Sequence, residues 1–109
     1  MSLTIITPTT GSKYLQKCIE SVKKQKNQNF IYYIVIDGSK YTGNTLEFLK
    51  DLPNNFKIMP IHENTGANGW NGHRIYISMS FLTNSDYVMF LDEDNTLQEN
   101  HTEIVLKTL

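Results

Sequence analysis

The stretch "YVMFLDEDN" (residues 87–95) runs from five apolar residues into three consecutive carboxylates, Asp92, Glu93 and Asp94. Acids crowded at the end of a buried segment repel one another and lose hydration unless water, a basic side chain or a metal ion meets them. Alternate acids at a strand end can turn two carboxylates, those of Asp92 and Asp94, toward one rim. Hard cations such as Mg²⁺ or Mn²⁺ take carboxylate oxygens and keep positions open for water and phosphate oxygens. The plainer alternative is a solvated acidic turn leading into a helix, since acids favour turns and helix N-termini. The buried strand expected in front of the acids favours the metal site.

Three other segments deliver polar residues just after apolar runs. "LTIIT" (3–7) is stopped by Pro8 and supplies Thr7, Pro8, Thr9 and Thr10, of which Thr7, Pro8 and Thr9 suit the lining of a nucleotide pocket. "FIYYIVI" (30–36) ends in Asp37-Gly38-Ser39, a turn signature. "FKIMPI" (56–61) leads into "HENTGANGWNGHR", a loop rich in Gly and Asn that carries Asn64, Gly66, Asn71, His73 and Arg74. The loop matches neither G-x-G-x-x-G nor G-x-x-x-x-G-K-[ST]. Among so many acids, the Arg74 guanidinium is suited to clamping a diphosphate or to pairing with Asp92. His73 reads as a surface or supporting histidine, Trp70 as a packing or stacking residue and Cys18 as core. Without a Cys or His cluster, a zinc site is not expected.

The elements that must position these residues follow from hydrophobic period. Leu15, Cys18, Ile19 and Val22 fall at i, i+3, i+4 and i+7, one face of a helix with Ser12 as its expected N-cap. A second helix is expected over 45–52, ending before Pro53, a third over 75–82 and a fourth over 98–109 with Ile104, Val105 and Leu109 at helical spacing. The strands 30–36 and 87–91, apolar throughout, are expected to be buried on both faces. Four alternations of strand and helix predict one doubly wound α/β domain spanning residues 1–109, with a mostly parallel sheet and right-handed crossovers. In such a sheet the carboxyl ends of the strands form the ligand crevice, and there all four polar segments converge.

Composition narrows the partners. A chain of 109 residues with a net charge of −1 gives no reason to expect a nucleic-acid partner. No apolar run approaches the ~20 residues that span a bilayer. The start "MSLTIITP" lacks the basic region of a signal peptide. A single cysteine precludes an internal disulfide and fits a reducing compartment, so a cytoplasmic location is expected.

Taken together and in order, the segments resemble family 2 glycosyltransferases of the GT-A fold. "LTIITPTTGSKYLQKCIESVKKQKNQNFIYYIVIDGS" is similar to that family's first strand, Pro-containing turn, helix and second strand ending in Asp-Gly-Ser. "NTGANGWNGHR" sits where the family has an Asn-x-Gly loop, and "DYVMFLDEDN" resembles the strand carrying its D-x-D motif. The resemblance implies a Rossmann-like core that binds a UDP-sugar with Mn²⁺ or Mg²⁺ and transfers the sugar to an acceptor. It implies Thr7, Pro8 and Thr9 around base and ribose, and Asp37 accepting from uracil or ribose. Arg74 or Asn71 would contact base or phosphate; Asp92 would lie near ribose and metal, and Asp94 would ligate the metal.

The chain departs from the pattern in three places. Ile36-Asp37 stands where many relatives have two Asp, the usual Ala-Arg-Asn triplet is missing, and the sequence stops at Leu109. The acceptor-binding half and its general base are not represented, so Glu93, His73 and His101 gain no catalytic role. The resemblance therefore supports donor binding more than transfer, and the alternative is a non-catalytic nucleotide-sugar-binding module or a remnant of a longer enzyme. A phosphoacceptor receiver domain fits poorly, because strand one ends in Thr-Pro-Thr-Thr where an acidic cluster is wanted. A metal-dependent nucleotidyltransferase uses similar parts. Apolar residues left uncovered on the last helix and on the strand 87–91 lead to the expectation of a homodimer.

Overall fold

The computed structural model of the protein describes residues 2–109. Strands β1 (Leu3–Thr9), β2 (Ile31–Asp37), β3 (Phe56–Ile61) and β4 (Tyr87–Phe90) form one sheet in the order β3-β2-β1-β4, parallel throughout. Helices α1 (Leu15–Lys23), α2 (Ser39–Leu46) and α3 (His73–Leu82) are the crossovers, and α4 (His101–Thr108) follows β4. The chain steps from β1 to β2 to β3 in one direction and then returns to place β4 on the other side of β1. That reversal beside β1 is the switch point at which doubly wound sheets open a crevice.

Period-two alternation divides the strands between two cores. Leu3, Ile5, Tyr32, Ile34 and Ile36 pack against Leu15, Cys18, Ile19 and Val22 of α1, all buried as the helical spacing predicts. Ile6 and Val35 point the opposite way, toward Ile75, Tyr76 and Met79 of α3. The two faces are unequal. α1 and α4 both contribute to the first core, whereas α3 covers the second and leaves Ile77, Phe81 and Leu82 exposed on its outer side.

Several elements differ from expectation. α2 begins at Ser39, because the Asp37-Gly38-Ser39 turn is itself the entry to the helix, with Gly38 at a φ of 126° that favours glycine. It ends at Leu46 and the chain turns back toward β3 through Asp51 at φ 56°. Ser12 is not the N-cap of α1. Tyr14 holds that position, and Ser12 Oγ accepts the Tyr14 N–H at 3.3 Å, closing a turn just ahead of the helix. β4 is half-exposed rather than buried on both faces, because it is an edge strand with no neighbour on its outer side among the described residues, and Phe90 is 51% exposed. α4 starts late, at His101, where its first turn is fixed by α1's trailing residues. Thr102 N–H donates to Gln25 Oε1 at 2.9 Å, and Gln25 Nε2 donates to Gln98 O at 2.6 Å. Val105 and Leu106 pack on the core while Ile104 is exposed. Among the described residues no helix is long and apolar enough to cross a membrane.

Candidate functional site

Pro8 opens the crevice. β1 does not stop before it but runs through to Thr9, paired with β2 as far as Ile36. On the other side, pairing with β4 ends at Ile6 and Phe90, with Leu91 N–H donating to Ile6 O at 2.9 Å. In a parallel ladder Pro8 would next donate to β4, and it has no N–H to give. The Leu91 carbonyl instead accepts from Thr7 Oγ1 at 2.7 Å. Beyond this point the two chains are free to part, and Asp92, Glu93 and Asp94 leave the sheet as one wall of a cleft of about 640 Å³.

Thr7 is buried beneath that cleft and does not line it. Tyr32 O–H donates to Thr7 Oγ1 at 2.8 Å, and Cys18 Sγ lies 3.7 Å from the Asp92 carbonyl. Burial pushes the Tyr32 phenol and the Cys18 thiol above their ordinary ranges, so both stay protonated and serve as struts under the acidic turn. Pro8 and Thr9 form the floor of the cleft. Thr9 Oγ1 donates to Glu93 Oε2 and accepts the Gly11 N–H at 2.9 Å, tying β1 to the acidic turn.

Asp37, at the end of β2, is buried and holds the opposite wall. Its Oδ1 accepts from Thr65 N–H at 2.7 Å and Thr65 Oγ1 at 2.9 Å, and its Oδ2 accepts from Gly66 N–H at 2.9 Å. Three of roughly four lone-pair sites on the carboxylate are thereby used to anchor the loop after β3. This loop folds tightly on itself. A Cβ on Gly66 would stand 2.6 Å from the Asn71 carbonyl and 2.9 Å from Asp37 Oδ2, and one on Gly72 would stand 2.9 Å from Pro8 Cγ. Asn71, at φ 53°, reaches the cleft together with Asn64 and His73.

Arg74 lies elsewhere. Its guanidinium stacks 4.1 Å from the centre of the Trp70 ring and borders a smaller apolar hollow with Val35 and Met59. It forms no ion pair with Asp92. The physical reason is helical phase: two residues along α3 is a turn of roughly 200° about the axis, so Arg74 and Tyr76 point apart.

Tyr76 is the residue that sequence reasoning missed. It sits between Ile75 and Met79 on the buried stripe of α3 and so reads as core, yet its hydroxyl emerges at the cleft and donates to Asp92 Oδ1. Burial, and then the Asp92 carboxylate, push its phenol far above the ordinary range and keep it protonated. Its ring stacks on Phe90, with centroids 4.3 Å apart. The signal available beforehand was the placement of an aromatic with a polar tip in the first turn after a polar loop.

The donor set suits a hard cation completed by a ligand. Among the described residues no three His, Cys, Asp or Glu side chains form a ready-made cage. Asp92 and Asp94 nonetheless both line the cleft, and no described residue donates to Asp92 Oδ2 or to the Asp94 carboxylate. One or two carboxylates plus phosphate oxygens and water is the usual Mg²⁺ arrangement.

The fold is that of a doubly wound α/β domain, and the cleft lies at the switch point where such sheets open a crevice. The family model described as glycosyl transferase family 2 matches residues 4–109, and the chain belongs to that family. A Staphylococcus epidermidis protein named teichoic acid poly(glycerol phosphate) polymerase is 34% identical over an alignment of 95 residues that covers 85% of this chain and 12% of the relative. Residues 1–349 of S. aureus TarS in complex with UDP-GlcNAc superpose with a TM-score of 0.76 at 23% identity, covering 98% of this chain and 30% of that one. The complex of the same fragment with UDP gives a TM-score of 0.75, also at 23% identity, with 98% and 31% covered. These structural likenesses establish a GT-A-like fold, and the chain spans a minor part of each of these proteins.

Proposed function

We propose that this chain forms the donor side of a glycosyl transfer reaction and binds a UDP-sugar together with Mn²⁺ or Mg²⁺. The observation that carries the reading is the meeting of Pro8, Thr9, Asp37 and Asn71 with Asp92 and Asp94 around one cleft at the switch point of the sheet. Family membership and the likeness to a fold that holds UDP-GlcNAc in TarS support it. Pro8 and Thr9 offer a flat floor for base and ribose, and Asp37 fixes the loop that brings Asn71 to the rim. Asp92 and Asp94 would hold the cation, which when bound neutralises charge on the diphosphate leaving group.

A second reading, nucleotide-sugar binding without turnover, draws support from Glu93. Its Oε2 accepts from Thr9 Oγ1 and ties the side chain to β1, which restricts its reach toward an acceptor hydroxyl. Isothermal titration with UDP and Mn²⁺, followed by an assay for UDP release from UDP-sugars, tests both. Micromolar UDP binding with measurable sugar release is the expected result; binding without release supports the second reading, and no binding with or without Mn²⁺ removes the first and the second alike.

We further propose a homodimer. The exposed side chains Ile77, Phe81 and Leu82 of α3 are an apolar surface, and the outer edge of β4 presents backbone groups that can pair with another strand; association covers both. Sedimentation equilibrium at micromolar concentration is expected to give twice the 12.6 kDa chain mass, and a clean 12.6 kDa species would leave these surfaces to another partner.

A further inference from the structure

Whereas Asp94 takes no hydrogen bond from a described residue and Glu93 is tied back to Thr9, Asp92 is held by a group on α3. It lies on an exposed turn, where a carboxylate ordinarily samples several rotamers and directions. Here one oxygen, Oδ1, accepts from the Tyr76 hydroxyl, and the other is left without a donor among the described residues. Tyr76 itself is pinned on three sides. Its ring stacks on Phe90, the residue two before Asp92 in the chain. Its backbone N–H donates to Gly72 O at 3.0 Å, and a Cβ at Gly72 would stand 3.3 Å from the ring at Cε2. Ile6, Val35 and Met79 pack beside it in the core.

We propose that Tyr76 is a positioning residue for donor binding: it fixes the Asp92 carboxylate through Oδ1 so that Oδ2 is presented to the cation and diphosphate. The inference rests on the donor-site reading above. The chemistry follows from dividing the two oxygens between different partners. A carboxylate that accepts a hydrogen bond from a neutral phenol on one oxygen keeps its charge and loses its rotational freedom. Ligand binding then no longer has to freeze that side chain, which is the benefit of preorganisation. Partners of ligating side chains of this kind typically change metal affinity 10- to 100-fold when removed.

The geometry also separates Tyr76 from a role in packing alone. The ring supplies the contacts to Phe90 and to the core, and the hydroxyl supplies the contact to Asp92. Tyr76→Phe keeps the first and deletes the second. The experiment is calorimetric titration of the 109-residue chain with UDP over a series of Mn²⁺ concentrations, on wild type, Tyr76→Phe, Asp92→Ala and the double variant, with a thermal melt of each. Tyr76→Phe is expected to raise the Mn²⁺ concentration needed for half-maximal UDP affinity about tenfold and to shift the melt little. In the Asp92→Ala background the same substitution is expected to change UDP affinity by less than about twofold, because the hydroxyl then has nothing to position. An unchanged Mn²⁺ requirement in Tyr76→Phe, with wild type binding UDP normally, overturns this inference alone. An equal loss from Tyr76→Phe with and without Asp92 also overturns it, by assigning Tyr76 a direct contact to the ligand. Failure of the wild type to bind UDP in Mn²⁺ overturns the donor-site reading and this inference with it.

Discussion

Replacing Asp94 by alanine is expected to erase the gain in UDP affinity that Mn²⁺ confers, leaving the variant in Mn²⁺ no better than wild type in EDTA. The loss should be roughly 10- to 100-fold in affinity, the scale of one charged contact to a bound ligand. Stability should hardly change. Asp94 is exposed and accepts no hydrogen bond from a described residue, so nothing in the fold depends on it. Asp92→Ala makes the contrast, since it also strips the Tyr76 hydroxyl of its acceptor and should lower the melting temperature as well. Calorimetry that finds wild-type UDP affinity equal in EDTA and in Mn²⁺ would sink the metal site.

Asp37→Asn should be the most damaging conservative change in the chain. The native carboxylate accepts at both oxygens, from Thr65 on one and from Gly66 on the other. An amide can accept at only one of them, and its NH₂ would face an N–H in a buried site. The expected cost is about 2–3 kcal/mol, or roughly 10–20 °C in melting temperature for a domain of this size. The free lone pair of the carboxylate adds a binding prediction. It can accept the N3–H of uracil, which cytosine lacks, so wild type is expected to prefer UDP over CDP and the variant to lose that preference. Comparable wild-type affinities for UDP, CDP and GDP would leave Asp37 as an anchor of the loop and nothing more.

Much of the architecture was legible because two periods dominate the chain. The i, i+3, i+4, i+7 spacing of Leu15, Cys18, Ile19 and Val22 and the unbroken apolar run into Asp37 read directly as a helix and an inner strand. The crevice was legible for the same reason, since polar residues that follow strands in a parallel sheet must gather at one rim. What sequence could not show was which groups are already spoken for. Thr7 looks like a site residue until its partner, Leu91 O, is seen. Arg74 looks like a phosphate clamp until the phase of α3 turns it onto Trp70. The exposure of β4 depends on strand order, which local pattern does not encode. The two close approaches at Gly66 and Gly72 were equally hidden, because a loop full of glycine does not announce which ones touch a neighbour.

The placement of β4 beside β1 bears on how the protein is made. On the ribosome, β1, β2 and β3 emerge in spatial order and can pair as they appear, whereas the other edge of β1 must wait for residues 87–90. During that interval β1 offers an unpaired row of backbone groups flanked by Leu3, Ile5 and Ile6, a template for joining another nascent chain. The bonds that complete the cleft, from Thr7 to Leu91 and from Thr9 to Glu93, each bridge 84 positions of sequence. Contacts of such separation form late. Slow release from the ribosome, or a chaperone that shields the first strand, should therefore raise the yield of competent protein more than any change that strengthens the helices.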